Sequence, residues 1–354
     1  MDTNIQKIPL TGMTLDELTK VVEAGKMQKF VARQLAEWLY KKRVNSFDEM
    51  ANISKKNKEW LSENYTIGRT NPVGERTSAD GTTKYLFRIT GGQTIESVLI
   101  PDRDRETLCV SSQAGCRMNC YFCATGRNGF KRNLTSNEII NQILSLFDGK
   151  ARGDKKSGDD NGLTNIVFMG MGEPLDNYPQ LLKVIEIMTS AWGLGWSPKR
   201  ITVSTVGIIP KLKELIENTQ VNIAISLHLP DSRVREQMMP AQKPYPLSNV
   251  IQLLRGYDFS KQRRLSFEYI MWRGINDDIS HAEMLCRLLK GLDCRVNLIR
   301  FHAIDGVELK SASEERMLMF RNFLNSRGIL ATIRASRGED IMAACGMLAG
   351  KNNC

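Results

Sequence analysis

The chain has 354 residues, 42% hydrophobic and 25% charged, and its 49 Lys and Arg outweigh 39 Asp and Glu to give a net charge of +10. That composition is ordinary for a globular protein able to bury a proper core. No eighteen apolar residues follow one another and no basic stretch with an apolar run opens the chain, which excludes a membrane-spanning helix and a secretory leader and reads as cytoplasmic. Eight cysteines without a framework spacing fit reduced thiols used for metal or catalysis, not structural disulfides. The positive charge favours a polyanionic partner, because Lys and Arg contacts to phosphate release condensed counterions.

Residues 14–65 carry a helical period: Leu15, Leu18, Val21 and Val22 recur on one face, and Phe30, Val31, Leu35, Trp38 and Leu39 repeat it between Gln28 and Arg43. Ser54 is placed to cap a third helix over Lys55–Asn64. Lys41, Lys42, Arg43, Lys55, Lys56 and Lys58 on these segments form either a solvated face or an RNA contact. From Thr82 the period becomes two, and runs at 83–89 and 94–100 separated by Gly91 and Gly92 predict a hairpin.

Beyond the hairpin, strand-like runs at 107–111, 165–169, 200–204, 222–227, 266–271 and 295–300 alternate with helix-like segments near 136–147, 178–190, 210–217, 247–256, 279–290 and 313–327. Six strand-then-helix units predict parallel strands with crossover helices and are too few for an eight-unit barrel. The expected fold class is therefore α/β, an open partial (β/α)6 barrel preceded by a small helical domain. The expected boundaries are a helical domain at 1–68, a hairpin linker at 69–101 and the α/β core at 102–354. The stretch 149–162 reads as a polar loop.

Ligands of parallel α/β folds sit at the carboxyl ends of the strands, and the motifs of this chain fall there. Cys116, Cys120 and Cys123 form a C-x3-C-x2-C triplet after the first run. Three thiolates so spaced hold three corners of a cubic iron–sulfur cluster and leave one iron open to a substrate such as S-adenosylmethionine; the alternative is a structural zinc site, for which no second ligand pair is present. Gly170, Gly172, Glu173 and Pro174 follow the second run, either as a plain turn or as a loop in which Glu173 accepts from the ammonium group of a bound methionine moiety. Ser204, Ser226, His228 and His302 close later runs, where each is either a satisfied polar residue or a ligand contact. Cys345 lies among small residues that leave room for a substrate, or is a buried structural thiol; Cys109, on the first strand, reads by itself as core.

Taken together, Cys116-x3-Cys120-x2-Cys123, the segment Phe168 to Pro174, the segment Ile225 to His228 and the segment Ala343 to Gly346 resemble the RlmN/Cfr family of radical S-adenosylmethionine RNA methyltransferases. The resemblance spans nearly the whole chain and implies a radical S-adenosylmethionine barrel whose helical N-terminal domain binds RNA. It implies a [4Fe–4S] cluster on Cys116, Cys120 and Cys123, and an S-adenosylmethionine pocket at Gly172, Glu173, Ser204, Ser226, Leu227, His228 and position 302. There the family commonly has asparagine and this chain has His302, which cannot offer an amide's paired donor and acceptor. Met342 likewise stands where an acidic residue is usual.

In similar proteins the residue matching Cys345 first takes a methyl group from one S-adenosylmethionine. A 5′-deoxyadenosyl radical from a second molecule removes hydrogen from that methyl, and the resulting carbon radical adds to an adenine carbon. Cys109 matches the thiol that resolves the protein–RNA link through a transient disulfide, and Glu96 matches the base that removes the adenine proton; without the resemblance Glu96 reads as a solvent-facing strand residue. The implied substrates are C2 of an adenosine in the peptidyl-transferase region of 23S rRNA and of one beside the anticodon in tRNA. Arg334 to Gly338 resembles the C2 enzymes more than the C8 enzymes that confer antibiotic resistance. A flavodoxin or ferredoxin is expected as electron donor, and the protein is expected to be a monomer. The rival readings are a radical enzyme with another substrate, such as an activase, and a nonenzymatic RNA-binding protein stapled by metal.

Overall fold

The structure is a computed structural model that describes residues 7–150, 162–260 and 264–350; the expected polar loop lies, from 151 to 161, outside the described residues. Two compact units are present, one formed by Met1–Pro72, Leu134–Gly162 and Pro179–Ser197 and the other by Val73–Asn133, Leu163–Tyr178 and Pro198–Cys354.

In the first unit the sequence period becomes helices at Leu15–Ala24, Val31–Ala36 and Lys55–Asn64, the second continuing through a π-helical turn at Glu37–Lys41. The starts of the first and third are fixed by side chains that satisfy otherwise unpaired amides. Thr14 and Glu17 form a reciprocal capping box, and the Ser54 hydroxyl accepts from Asn57 N at 3.3 Å, as expected. Leu18, Val22, Leu35, Leu39 and Tyr40 build the core, with the Tyr40 hydroxyl donating to Met13 O and accepting from Gly12 N. The helical region does not close at residue 68. Asn137 Nδ2 donates to Thr11 O and Gly68 O at 2.9 and 2.8 Å, and Lys183 pairs with Glu17, so the helix Ser136–Lys150 and most of the helix Tyr178–Thr189 belong to this unit.

The second unit is built on a ten-stranded sheet whose spatial order follows the chain. Its strands are β1 (Gly74–Thr77), β2 (Thr83–Arg88), β3 (Thr94–Asp102), β4 (Arg105–Cys109), β5 (Asn165–Phe168), β6 (Ile201–Thr205), β7 (Asn222–Ser226), β8 (Leu265–Met271), β9 (Arg295–Arg300) and β10 (Leu330–Ile333). Strands β4 to β10 run parallel, which bears out the open α/β architecture, and the sheet has one more parallel strand than expected. Parallel strands covered on both faces read as near-continuous apolar runs, as in β7 and β8. Edge strand β10 alternates buried and exposed over four residues, too weak a signal to register. The hairpin β2–β3 is not a separate linker: β3 pairs antiparallel with β4 from Val98–Cys109 to Asp102–Arg105 and extends the sheet.

Candidate active site

Every strand-end motif of the sequence lies at the carboxyl end of β4 to β9. The loop after β4 carries Cys116 and Cys123, half-buried, and Cys120, buried. Tyr121 N donates to Met238 O at 2.9 Å and Ala124 N to Gly346 O at 2.8 Å, which fastens the cysteine loop to the helix after β7 and to the segment bearing Cys345. Burial is the largest influence on all three thiols: it pushes Cys116 up to about 12, Cys120 well above the usual thiol range, and Cys123 upward. Such thiols become thiolates only beside a positive centre, as metal ligands do. Among the described residues no three Cys, His, Asp or Glu converge on one metal ion. A cubic cluster does not ask them to, because each thiolate takes a different iron.

The glycines after β5 have a reason other than the one the sequence suggests. A Cβ on Gly170 would lie 2.7 Å from Ser111 Oγ and 2.8 Å from Val110 O, and one on Gly172, at φ +101°, would lie 2.5 Å from Gln113 Cβ. They are small because the β5 turn rides on the β4 turn. Gln113 completes that seam, accepting from Glu173 N at 2.8 Å and donating to Asn133 Oδ1 and Asp176 Oδ2, each at 2.8 Å. Glu173 is buried, and its two carboxylate oxygens accept from Leu175 N at 3.1 Å and Val206 N at 2.9 Å. Burial pushes its acid up to about 7 against these bonds and one from Thr205. The carboxylate thus ties the ends of β5 and β6 together, and its remaining lone pairs are what it has for a ligand.

A cavity of about 150 Å³ opens here, lined by the three cluster-type cysteines together with Gly170, Gly172, Glu173, Ser204, Ser226, His228, Glu268, Arg334 and Cys345. A larger polar cavity of about 380 Å³, with Arg105, Lys199, Arg264 and Arg295 in its walls, lies at the other, amino ends of the strands and holds none of these groups. His228 has a left-handed backbone, φ +52°, and its Nδ1 accepts from Ile270 N at 3.2 Å. Burial, then the Arg235 charge, pulls its pKa down to about 3, so the ring is neutral and its one proton sits on Nε2 as a donor. Leu227 is wholly buried and outside the cavity lining, so only its backbone is on offer.

Cys345 is exposed and lines the cavity. Burial pushes its thiol up while the Arg334 guanidinium pulls it down. Cys109, buried at the end of β4, is pushed up to about 12 by burial and then by Cys345, so the two thiols lie within electrostatic reach of each other. The sequence reading passed over the pair beside them: Arg334 Nη1 stands 3.5 Å from Glu268 Oε2 and 3.9 Å from Met169 Sδ. Glu268 first, and the two thiols after it, hold the Arg334 proton more firmly. A glutamate inside the apolar strand β8 was the available signal, since a buried carboxylate needs a partner.

Besides Cys109 and Leu227, two expected site residues lie outside the cavity lining. Glu96 is neither solvent-facing nor in the cavity. It is buried, its Oε1 lies 3.0 Å from Lys84 Nζ, and its Oε2 accepts from Ala349 N and Gly350 N at 2.8 and 3.0 Å. His302 is buried outside the cavity lining, with Nδ1 3.2 Å from Glu339 Oε1.

Comparison with known proteins matches residues 110–285 to the radical SAM superfamily and residues 8–67 to the ribosomal RNA large subunit methyltransferase N-terminal domain. The chain is 53% identical over 342 residues to a probable dual-specificity RNA methyltransferase RlmN of Bacteroides fragilis, covering 97% of this chain and 96% of that one. The chain belongs to the RlmN family. A dual-specificity RNA methyltransferase RlmN of Syntrophus aciditrophicus is 43% identical, with 98% of each chain covered. The crystal structure of a radical SAM methyltransferase from Sphaerobacter thermophilus superposes with a TM-score of 0.89 at 39% identity, over 97% of this chain and all of that one. RlmN enzymes are radical S-adenosylmethionine methyltransferases that use a [4Fe–4S] cluster and S-adenosylmethionine, and the buried thiols beside an open cavity fit that pair. Membership in the RlmN family replaces the zinc-staple and activase readings. No helix among the described residues is long and apolar enough to cross a membrane.

Proposed function

We propose that the protein methylates C2 of an adenosine in the peptidyl-transferase region of 23S rRNA and of an adenosine beside the anticodon in tRNA. The observation that carries this is one cavity holding Cys345 together with Cys116, Cys120 and Cys123, with Cys109 buried within electrostatic reach of Cys345. Adenine C2 is not nucleophilic, so a methyl group has to reach it through a carbon radical, and a thioether on Cys345 is a carrier with room around it.

Cys116, Cys120 and Cys123 hold the cluster in this reading, and Gly172, Glu173, Ser204, Ser226, the Leu227 backbone and the His228 Nε2–H bind S-adenosylmethionine. The cluster, when bound, supplies the electron that splits S-adenosylmethionine. Cys345 gives up its thiol proton as its sulfur takes the methyl group, and Arg334, held by Glu268, favours the thiolate that does so. Cys109 closes a disulfide onto Cys345 when the RNA leaves. Glu96 serves as the base only once the Ala349 and Gly350 amides and Lys84 release it. The first unit binds RNA through its N-terminal helical domain, a flavodoxin or ferredoxin donates the electron, and the protein works as a monomer in the cytoplasm.

The test is anaerobic incubation of the reconstituted protein with reductant, methyl-labelled S-adenosylmethionine and 23S rRNA, followed by nucleoside mass spectrometry. Labelled 2-methyladenosine, absent with Cys345→Ala, is expected. Labelled 8-methyladenosine would assign the other carbon, and 5′-deoxyadenosine without either product would refute the RNA substrate.

A further inference from the structure

Arg235, whose charge bears on His228, retains no accessible surface. Its side chain folds from the helix Ser232–Met238 onto the end of β7, where Nε donates to Leu227 O at 3.1 Å, Nη2 to Ser226 O at 3.0 Å and Nη1 to Gln242 Oε1 at 2.9 Å. All three acceptors are neutral, and among the described residues no carboxylate pairs with it. A buried guanidinium without a counter-charge is costly, and the cost stays in the fold unless an anion arrives.

The loop that carries Cys120 is fastened to the helix that carries Arg235. The backbone places them so. Tyr121 N, one residue beyond Cys120, donates to Met238 O at the end of the Arg235 helix, and the Phe122 ring meets His228 edge-on at 5.2 Å, next to Leu227.

We propose that Arg235 is a positioning residue that supplies the counter-charge of the cluster site and, through the same guanidinium, holds the Ser226 and Leu227 carbonyls at the rim of the cofactor cavity. The proposal rests on the cluster assignment above. Reduction adds a negative charge to a buried site, and a fixed cation beside it stabilises the reduced form more than the oxidised form, which raises the reduction potential.

The experiment reconstitutes wild type, Arg235→Lys and Arg235→Gln anaerobically with iron and sulfide, measures iron content, and follows the reduced cluster by electron paramagnetic resonance through a redox titration. Wild-type potential is expected in Arg235→Lys. In Arg235→Gln reduction should become at least tenfold less favourable, about 59 mV for one electron. The spectrum counts only loaded clusters, so partial loading does not blur the comparison. A folded Arg235→Gln that takes no iron while Arg235→Lys does would also support the charge. A wild-type potential in Arg235→Gln, or equal shifts in both variants, would overturn it. If Arg235→Gln does not fold, Arg235→Lys decides, and a tenfold change there refutes the counter-charge. A wild type that binds no iron would instead bring down the cluster assignment, which keeps the two failures apart.

Discussion

Replacing Glu173 by Gln should change how stability depends on pH, because the buried acid titrates near 7 in the fold and near 4.5 when unfolded. The folded state holds this proton more tightly, so the acid contributes stability in full below about pH 4.5, loses it as pH rises, and contributes nothing further above about 7. The shift of about 2.5 pH units corresponds to about 3 kcal/mol, and the part falling between pH 5 and pH 8 is about 2.5 kcal/mol. Glutamine has no proton to lose, although its amide nitrogen cannot replace both oxygens that accept from Leu175 N and Val206 N. That loss is a constant offset. The assay is urea unfolding of the cluster-free protein at pH 5, 6, 7 and 8, and the quantity of interest is wild-type minus Glu173→Gln stability. It should fall by about 2.5 kcal/mol across the range. A difference that stays level from pH 5 to pH 8 would show that the carboxylate is not held in a desolvated seam, and the account of the β5–β6 junction would fail.

Lys84→Met should destabilise the second unit by about 3 kcal/mol, because it strands Glu96 with only two backbone amides, and adding Glu96→Gln should restore most of the loss. A double-mutant cycle by urea unfolding measures this, and a near-zero coupling would contradict the buried pair. Gly172→Ala should cost more than about 3 kcal/mol, since it needs a left-handed backbone and pushes a methyl into Gln113; wild-type unfolding would show that the turn moves freely. Methyl incorporation should be much higher on naked or partly assembled rRNA than on intact ribosomes, because the adenine has to be splayed out to reach Cys345. Equal labelling of both substrates would count against a sulfur lining so small a cavity.

The fold was largely legible because its signals are local. Six crossover helices and six parallel strands fall within three residues of their expected ends, for which an apolar period and a turn suffice. What escaped depends on neighbours distant in the chain. The stretch Leu330–Ile333 becomes a strand because β9 offers it an edge, and the helix Ser136–Lys150 joins the N-terminal unit through Asn137 bonding residues more than sixty positions away.

The site divides along the same line. The cysteine triplet and the glycine turn are contiguous, so their spacing carries the geometry, and the structure sets both on the one cavity. Glu96 and Arg334 are single residues whose meaning lies in partners the sequence does not place beside them. Alternation along β3 reads Glu96 as facing water, yet Lys84 on the neighbouring strand and two amides near the C-terminus surround it. A carboxylate so engaged is a latch on the segment bearing Cys345 before it is a base. In the proposed reaction the two duties exclude each other in time: while Glu96 holds the Ala349 and Gly350 amides it is not free to take a proton from adenine, and when it lets go the Cys345 segment loses one of its anchors. Ala124 N, which donates to Gly346 O, and Thr125 Oγ1 and Asn128 Nδ2, which donate to Leu348 O and Ala349 O, then remain to keep that thiol at the cluster loop.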